Sequence, residues 1–350
     1  TNTADGPHGL LEQQISEIIA GVLGRSQFGV TEGFFAAGGN SLAALSVIAK
    51  IEENLGKTLS IGALFANPTV KGLAAVLNED SPDIEFAPVL PLREVDSTDS
   101  ATSKNTVPLF ILPPAGGLGW CYAAYLPHIP GHPSVYALQH EAFTNPNAGY
   151  AQSLRELAEG YLARIRETLE ERQLPSQFSL MGWSVGGTAA VEVAALAETA
   201  GYEVHQVTLL DAYPAEQWQG IPEPDEQESF RALLRMGGLP EVSAQTVLDL
   251  PQTLERLRDA GSAMGYLPED KLGVCLESMR ASAALMRGSN HLNFGGKVVL
   301  IGVNHDDQPY LDAHGWEPHA GSFRTVTLKN GTHPDLVNPE RIPEIIAEAF

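Results

Sequence analysis

An apolar run, Phe178-Ser179-Leu180-Met181, ends in Gly182-Trp183-Ser184-Val185-Gly186-Gly187, and the small residues Thr188-Ala189-Ala190-Val191 follow at once. No other stretch restricts the fold as strongly. A strand, a very tight turn and a helix that starts immediately form a nucleophile elbow, which holds the serine at the carboxyl end of a sheet strand. Glycines are needed there because the strand and helix backbones approach closely. The plain alternative is a serine in an ordinary strand–helix turn. The flanking pattern favours the elbow.

The chain from residue 107 onward fits the sheet that such an elbow requires. Strand-like runs fall at Leu109–Leu112, Ser134–Leu138, Phe178–Met181, Val204–Leu210, Lys297–Val303 and Phe323–Leu328, with helix-like segments at Leu154–Glu171 and Thr188–Thr199. Alternating strands and helices imply a mostly parallel sheet with helices on both faces. The expectation is an α/β-hydrolase domain over residues 108–350. Residues 215–292 break the rhythm with helix formers and no convincing strand, so a helical lid is expected there.

The first 80 residues read differently. Leu10, Leu11, Ile15, Ile18, Ile19 and Val22 fall at helical spacing, and a second helix follows Gly38-Gly39-Asn40. A short turn is expected at Ile61–Ala66, and Pro68 suits the first turn of a last helix. These features predict a small four-helix bundle. Residues 81–107 are polar and punctuated by proline, which suggests a linker. Val89-Leu90-Pro91-Leu92 within it could already be an edge strand of the next domain. The two domains are expected to fold separately and to move relative to each other.

A serine hydroxyl is a poor nucleophile until a base takes its proton. Ten histidines are present. Of these, His333 follows the last expected strand and precedes the final helix, and chain order in this fold ends with the histidine. His305, His314 and His319 are competitors, but they lie between the last two strands, where the loop would have to fold back. Two places offer the acid: Asp211, directly after Thr208-Leu209-Leu210, and the pair Asp306-Asp307 after the next strand. Both lie at a carboxyl strand edge. Asp211 follows apolar residues, which suits a buried carboxylate, whereas a like-charged pair in a polar loop more often faces solvent. An oxyanion hole needs two backbone N–H groups. Val185, just after the nucleophile, supplies one. Ala115 in Pro113-Pro114-Ala115-Gly116-Gly117 is the first residue after two prolines with an N–H to donate.

Composition excludes several classes. The formal net charge is −22, with no basic stripe, which argues against nucleic acid as a partner. Only Cys121 and Cys275 are present, too few for a disulfide framework or a four-cysteine zinc site, and none of the usual metal-ligand spacings occurs. The N-terminal segment lacks a basic n-region, and no apolar run reaches the ~20 residues of a membrane span. A reducing, cytoplasmic setting is expected.

Ser41 sits at a helix start beside Gly38-Gly39. Serine and asparagine both cap helices, yet a helix N-terminus also favours a phosphodiester. Phe34-Phe35-Ala36-Ala37-Gly38-Gly39-Asn40-Ser41-Leu42, followed by Leu64-Phe65-Ala66-Asn67-Pro68-Thr69-Val70, resembles a peptidyl carrier domain. Leu90-Pro91-Leu92-Arg93, Pro113-Pro114-Ala115-Gly116-Gly117, the elbow, Leu209-Leu210-Asp211-Ala212-Tyr213-Pro214 and His333 resemble a type I thioesterase. Together they resemble the terminal module of enterobactin-type siderophore synthetases, which are non-ribosomal peptide synthetases. Asn40 departs from the histidine or aspartate usual before the carrier serine, and Pro113 stands where that enzyme type has histidine.

The resemblance implies that Ser41 carries 4′-phosphopantetheine and that the acid is Asp211. It also implies that the elbow serine releases an acyl or peptidyl thioester, by hydrolysis, cyclisation or oligomerisation. Implied partners are upstream condensation and adenylation domains and a phosphopantetheinyl transferase. The chain is then expected to be a fragment of a larger synthetase. The alternative is a stand-alone serine esterase or lipase fused to a helical docking module.

Overall fold

The structure, a computed structural model, describes residues 6–39, 41–60, 63–64, 67–78, 84–95, 107–260 and 262–350. Seven strands form one sheet: β1 (Val89–Arg93), β2 (Leu109–Leu112), β3 (Val135–Leu138), β4 (Gln177–Trp183), β5 (Glu203–Leu210), β6 (Phe294–Gly302) and β7 (Ala320–Thr327). Their spatial order is β1-β3-β2-β4-β5-β6-β7, and all pairings are parallel except that of β1 with β3. Every residue of β2 and β3 is buried, as strands covered on both faces must be.

The carrier region contributes α1 (Leu10–Leu23), α2 (Ser41–Leu55) and α3 (Val70–Leu77). Ile15, Ile19, Phe34, Val47, Ile51, Leu64, Val70 and Leu73 form a core of their own. Thr69 caps α3 by accepting from the Gly72 N–H at 3.0 Å. Most of the turn expected at Ile61–Ala66 lies outside the described residues, so three helices of the expected four are described here.

The larger body contains α4 (Leu154–Glu171), α5 (Val185–Thr199), α6 (Glu226–Met236), α7 (Leu250–Asp259), α8 (Glu269–Gly288) and α9 (Ile342–Ala349). Helices α4 and α5 cover one face of the sheet. Alanines dominate the buried side of α5, which lets this helix sit close to the strands. The other face is covered by α9, a 3-10 helix at Trp120–Tyr125 and lid residues such as Phe230, Leu233, Leu257 and Met279. Helices α6, α7 and α8 all fall within residues 215–292, and no described strand does.

Residues 84–95 belong to this body. Val89 pairs with Leu138 and Leu90 with Ala137 in the antiparallel edge. Phe86, Leu90 and Leu92 are buried, and Trp120 Nε1 donates to the Glu85 carbonyl at 2.9 Å. The buried Arg93 guanidinium donates to the carbonyls of Pro133 and Leu126, each at 2.9 Å. Over this segment the structure has the edge strand that the sequence allowed at Val89-Leu90-Pro91-Leu92 in place of linker. Apolar residues at alternate positions gain more from the sheet than from water. The Ser/Thr-rich run 97–103, outside the described residues, falls in the β1–β2 connection.

The N-terminal region touches the helical segment 215–292. The Tyr266 hydroxyl accepts from the Gly6 N–H at 3.0 Å, Gln13 Oε1 accepts from the Ala263 N–H at 2.8 Å, and the His8 and Tyr266 rings stack at 4.6 Å. Among the described residues, no helix is long and apolar enough to cross a membrane.

Candidate active site

Ser184 stands between β4 and α5 with φ 56° and ψ −130°. A non-glycine residue at positive φ is strained, and such residues cluster at functional sites. The turn closes only because its glycines lack Cβ atoms. A Cβ on Gly182 would collide with the Gly186 backbone, and one on Gly186 with the carbonyls of Leu112 and Pro113. The Ser184 N–H donates to the Leu210 carbonyl at 3.0 Å, tying the elbow to β5. Tyr122 locks the other side: its hydroxyl accepts from the Trp183 N–H at 2.9 Å and donates to the Leu112 carbonyl at 2.7 Å.

Asp211 follows β5, also at positive φ (46°), and is 2 % exposed. His333 begins a 3-10 turn after β7, and its Nδ1 lies 2.5 Å from Asp211 Oδ2. A carboxylate only accepts, so Nδ1 carries the proton and Nε2 is left as the basic nitrogen. Trp183 Nε1 donates to the His333 carbonyl at 3.1 Å, and the two rings lie 4.9 Å apart, so the residue before Ser184 holds the turn that bears His333. Ser184, Asp211 and His333 thus follow β4, β5 and β7 at the carboxyl edge of one sheet, with His333 bonded to Asp211.

Three further groups donate to Asp211. Tyr213 Oη donates to Oδ1 at 2.9 Å, the Val303 N–H to Oδ1 at 3.2 Å, and His305 Nε2 approaches Oδ1 at 3.0 Å and Oδ2 at 2.9 Å. Burial would push the Asp211 carboxyl up, but hydrogen bonds from His305 and His333 more than offset it and hold it well below the usual range. Burial, then the adjacent carboxylate, keeps the Tyr213 hydroxyl protonated. His305 needs no folded-back loop to reach the site. Strand β6 lies beside β5, so the end of β6 falls next to Asp211. Sequence reasoning weighed His305 only as a rival base and missed Tyr213, although Tyr213 stands two positions after Asp211. Asp306 and Asp307 are exposed, and His314 pairs with Glu317 at 2.8 Å away from this cluster.

Among the described residues, the Ala115 N–H has no acceptor, and the Val185 N–H is one of the unpaired first N–H groups of α5. Lid helix α8 holds the Ala115 peptide from the far side: Ser278 Oγ donates to its carbonyl at 2.8 Å and Ser282 Oγ at 3.4 Å. A small cavity lies alongside, lined by Pro113, His140, Tyr150, Val185, Ser278 and Leu285.

In the carrier, the chain reaches α2 through Gly38 at φ 101° and Gly39, which lies against Phe34. Helix α2 begins at Ser41. The Ser41 side chain and all of Asn40 lie outside the described residues. The positive end of a helix dipole favours an anion such as a phosphodiester.

The thioesterase-domain family matches residues 107–350, and the chain belongs to that family. Residues 13–77 match the phosphopantetheine attachment site family. The chain is therefore a carrier–thioesterase pair of the non-ribosomal peptide synthetase kind, a serine-type thioesterase preceded by a phosphopantetheine carrier. A dimodular nonribosomal peptide synthase of Bacillus subtilis is 31 % identical over 98 % of this chain, which spans 14 % of that protein. Enterobactin synthase component F of Escherichia coli is 28 % identical over 89 % of this chain and is covered over 22 % of its length. A solved four-domain nonribosomal peptide synthetase bound to AMP and glycine shares the fold over 99 % of this chain and 26 % of its own, with TM-score 0.66 and 20 % identity. The Vlm2 thioesterase domain shares the fold over 70 % of this chain and 94 % of its own, with TM-score 0.53 and 16 % identity.

Proposed function

We propose that Ser184, His333 and Asp211 form the catalytic triad that releases the product thioester borne on Ser41. The observation that carries the reading is the His333 Nδ1–Asp211 Oδ2 hydrogen bond at 2.5 Å, set beside a serine held at positive φ.

Phosphopantetheine on Ser41, when attached, supplies the thioester. His333 Nε2 takes the Ser184 proton as Oγ attacks the carbonyl. The N–H groups of Ala115 and Val185 donate to the developing oxyanion, and Asp211 stabilises the imidazolium. The C–S bond breaks, His333 returns its proton to the leaving sulfur, and the acyl chain stays on Ser184 as an ester. Water then attacks, or a hydroxyl or amine of the acyl chain itself, with His333 again as base. The likeness to enterobactin synthase component F supports a siderophore-type peptide as product. Upstream condensation and adenylation domains would deliver the chain, and a phosphopantetheinyl transferase would modify Ser41.

The test uses intact mass. Incubation with a phosphopantetheinyl transferase and coenzyme A should add one pantetheine, abolished in Ser41→Ala. After loading with an acyl-pantetheine, Ser184→Ala should keep the acyl group on the carrier while the wild type loses it, because removing a triad nucleophile costs about 10⁶-fold in rate. Near wild-type release by Ser184→Ala would refute the elbow assignment.

A further inference from the structure

An acid that orients one imidazole needs one good hydrogen bond to it and donors that fix its plane. Asp211 has more than that. His305 Nε2 straddles both carboxylate oxygens, 3.0 Å from Oδ1 and 2.9 Å from Oδ2, while His333 Nδ1 takes Oδ2 at 2.5 Å. The His305 side chain is 14 % exposed and Asp211's is fully buried. Around His305 stand Asp211 at the end of β5, the Tyr213 ring edge-on at 5.4 Å, the His333 ring at 6.5 Å and the charge of Asp307 in its own loop.

We propose that His305 is a positioning residue for the release reaction: its N–H clamps Asp211 in the plane that receives His333, and its charge draws on the carboxylate charge that His333 also uses. The inference rests on Asp211 and His333 being the acid and base. Burial disfavours a charged His305 ring, but the hydrogen bond and charge of Asp211 prevail, so the ring holds its proton to higher pH than an ordinary histidine. Its contacts with both carboxylate oxygens hold the plane in which Oδ2 meets His333 Nδ1. Protons balance simply: His333 shuttles the Ser184 proton, and His305 keeps its own throughout.

The test measures hydrolysis of an acyl-N-acetylcysteamine thioester by the full chain from about pH 5 to 9, with competent Ser184 counted by fluorophosphonate titration. His305→Gln keeps a donor and removes the charge. Because it keeps a donor toward Asp211, its kcat should stay within about tenfold of wild type. His305→Leu should lower kcat by about a hundredfold with KM little changed. Wild-type kcat in His305→Leu, or a loss in His305→Gln as large as that in His305→Leu, overturns the proposal. Asp211→Asn separates the two readings: if it stays active, the acid assignment itself is wrong, whereas an inactive Asp211→Asn beside unaffected His305 variants sinks this inference alone. Should His305→Gln fold poorly, ¹⁵N-histidine spectra of the wild type decide, with a His305 ring that stays protonated above the ordinary histidine midpoint in support and one that deprotonates at or below it against.

Discussion

Ser278 Oγ donates a 2.8 Å hydrogen bond to the carbonyl of Ala115, so a lid helix grips the loop proposed to bind the oxyanion. Met236 and Met279, also from the lid, crowd the neighbouring Gly116. The loop has no comparable tether from the sheet side at Ala115 among the described residues. Ser278→Ala should therefore lower kcat roughly tenfold while leaving KM within a factor of a few, the loss of one orienting hydrogen bond. Steady-state kinetics on a small thioester checks this. An unchanged kcat would show that the loop holds its shape without the lid.

Asp211→Asn should lower kcat by about 10⁴-fold, because an amide favours the wrong tautomer of His333 and cannot stabilise its imidazolium. Asp306→Asn and Asp307→Asn should stay within a few-fold of wild type, as both side chains face solvent. Parallel kinetics on the three variants decides. A large loss at Asp306 or Asp307 with an active Asp211→Asn would move the acid to the later loop.

Stability should carry the mark of the same cluster. Asp211 is depressed in the fold, so its contribution is present above the ordinary carboxylate value near 4 and is lost as pH falls toward its folded value. His305 is raised above the ordinary histidine value near 6.5, so its contribution is complete below that value and is lost as pH rises through the folded one. The difference in Tm between wild type and His305→Gln should thus be largest near about pH 5 to 6 and shrink by about pH 9. Thermal melts across that range test it, and a difference that grows toward alkaline pH would contradict the ion pair.

The placement of β1 makes a prediction about nicking. A protease cut within 96–106 should leave two pieces that co-elute on gel filtration and separate only on denaturation, since β1 stays paired with β3 and Phe86, Leu90 and Leu92 stay buried. A cut within 78–83 should instead separate the carrier from a larger piece that still hydrolyses small thioesters. Pieces that part after a cut in 96–106 would show that β1 adds little to the sheet.

What was legible in the sequence was local. The elbow, the strand before it and the helix after it lie within about twenty residues, and their pattern is set by glycine sterics and apolar alternation. His333 was expected from chain order, and Asp211 from its place after an apolar strand and from the family resemblance. The role of His305 was not, because it depends on β6 lying beside β5, a matter of sheet order that no local pattern records. The grip of Ser278 on Ala115 spans 163 positions and joins two segments that each read as ordinary helix or turn. The polar run at 97–103 masked the apolar alternation of β1, so the body's first strand was seen only as a possibility.

Because β1 is stitched into the sheet, the carrier's leash is counted from residue 84 and not from residue 107. Residues 78–83 separate α3 from the 3-10 helix at Ile84–Phe86, and fully extended they span at most about 25 Å. The carrier serine is thereby confined to a small volume around the hydrolase body, where its effective concentration is on the order of millimolar. Delivery becomes a local search whose frequency is set by tether length. Inserting residues after Leu77 would dilute the carrier with roughly the −3/2 power of that length, leaving the chemistry at Ser184 untouched.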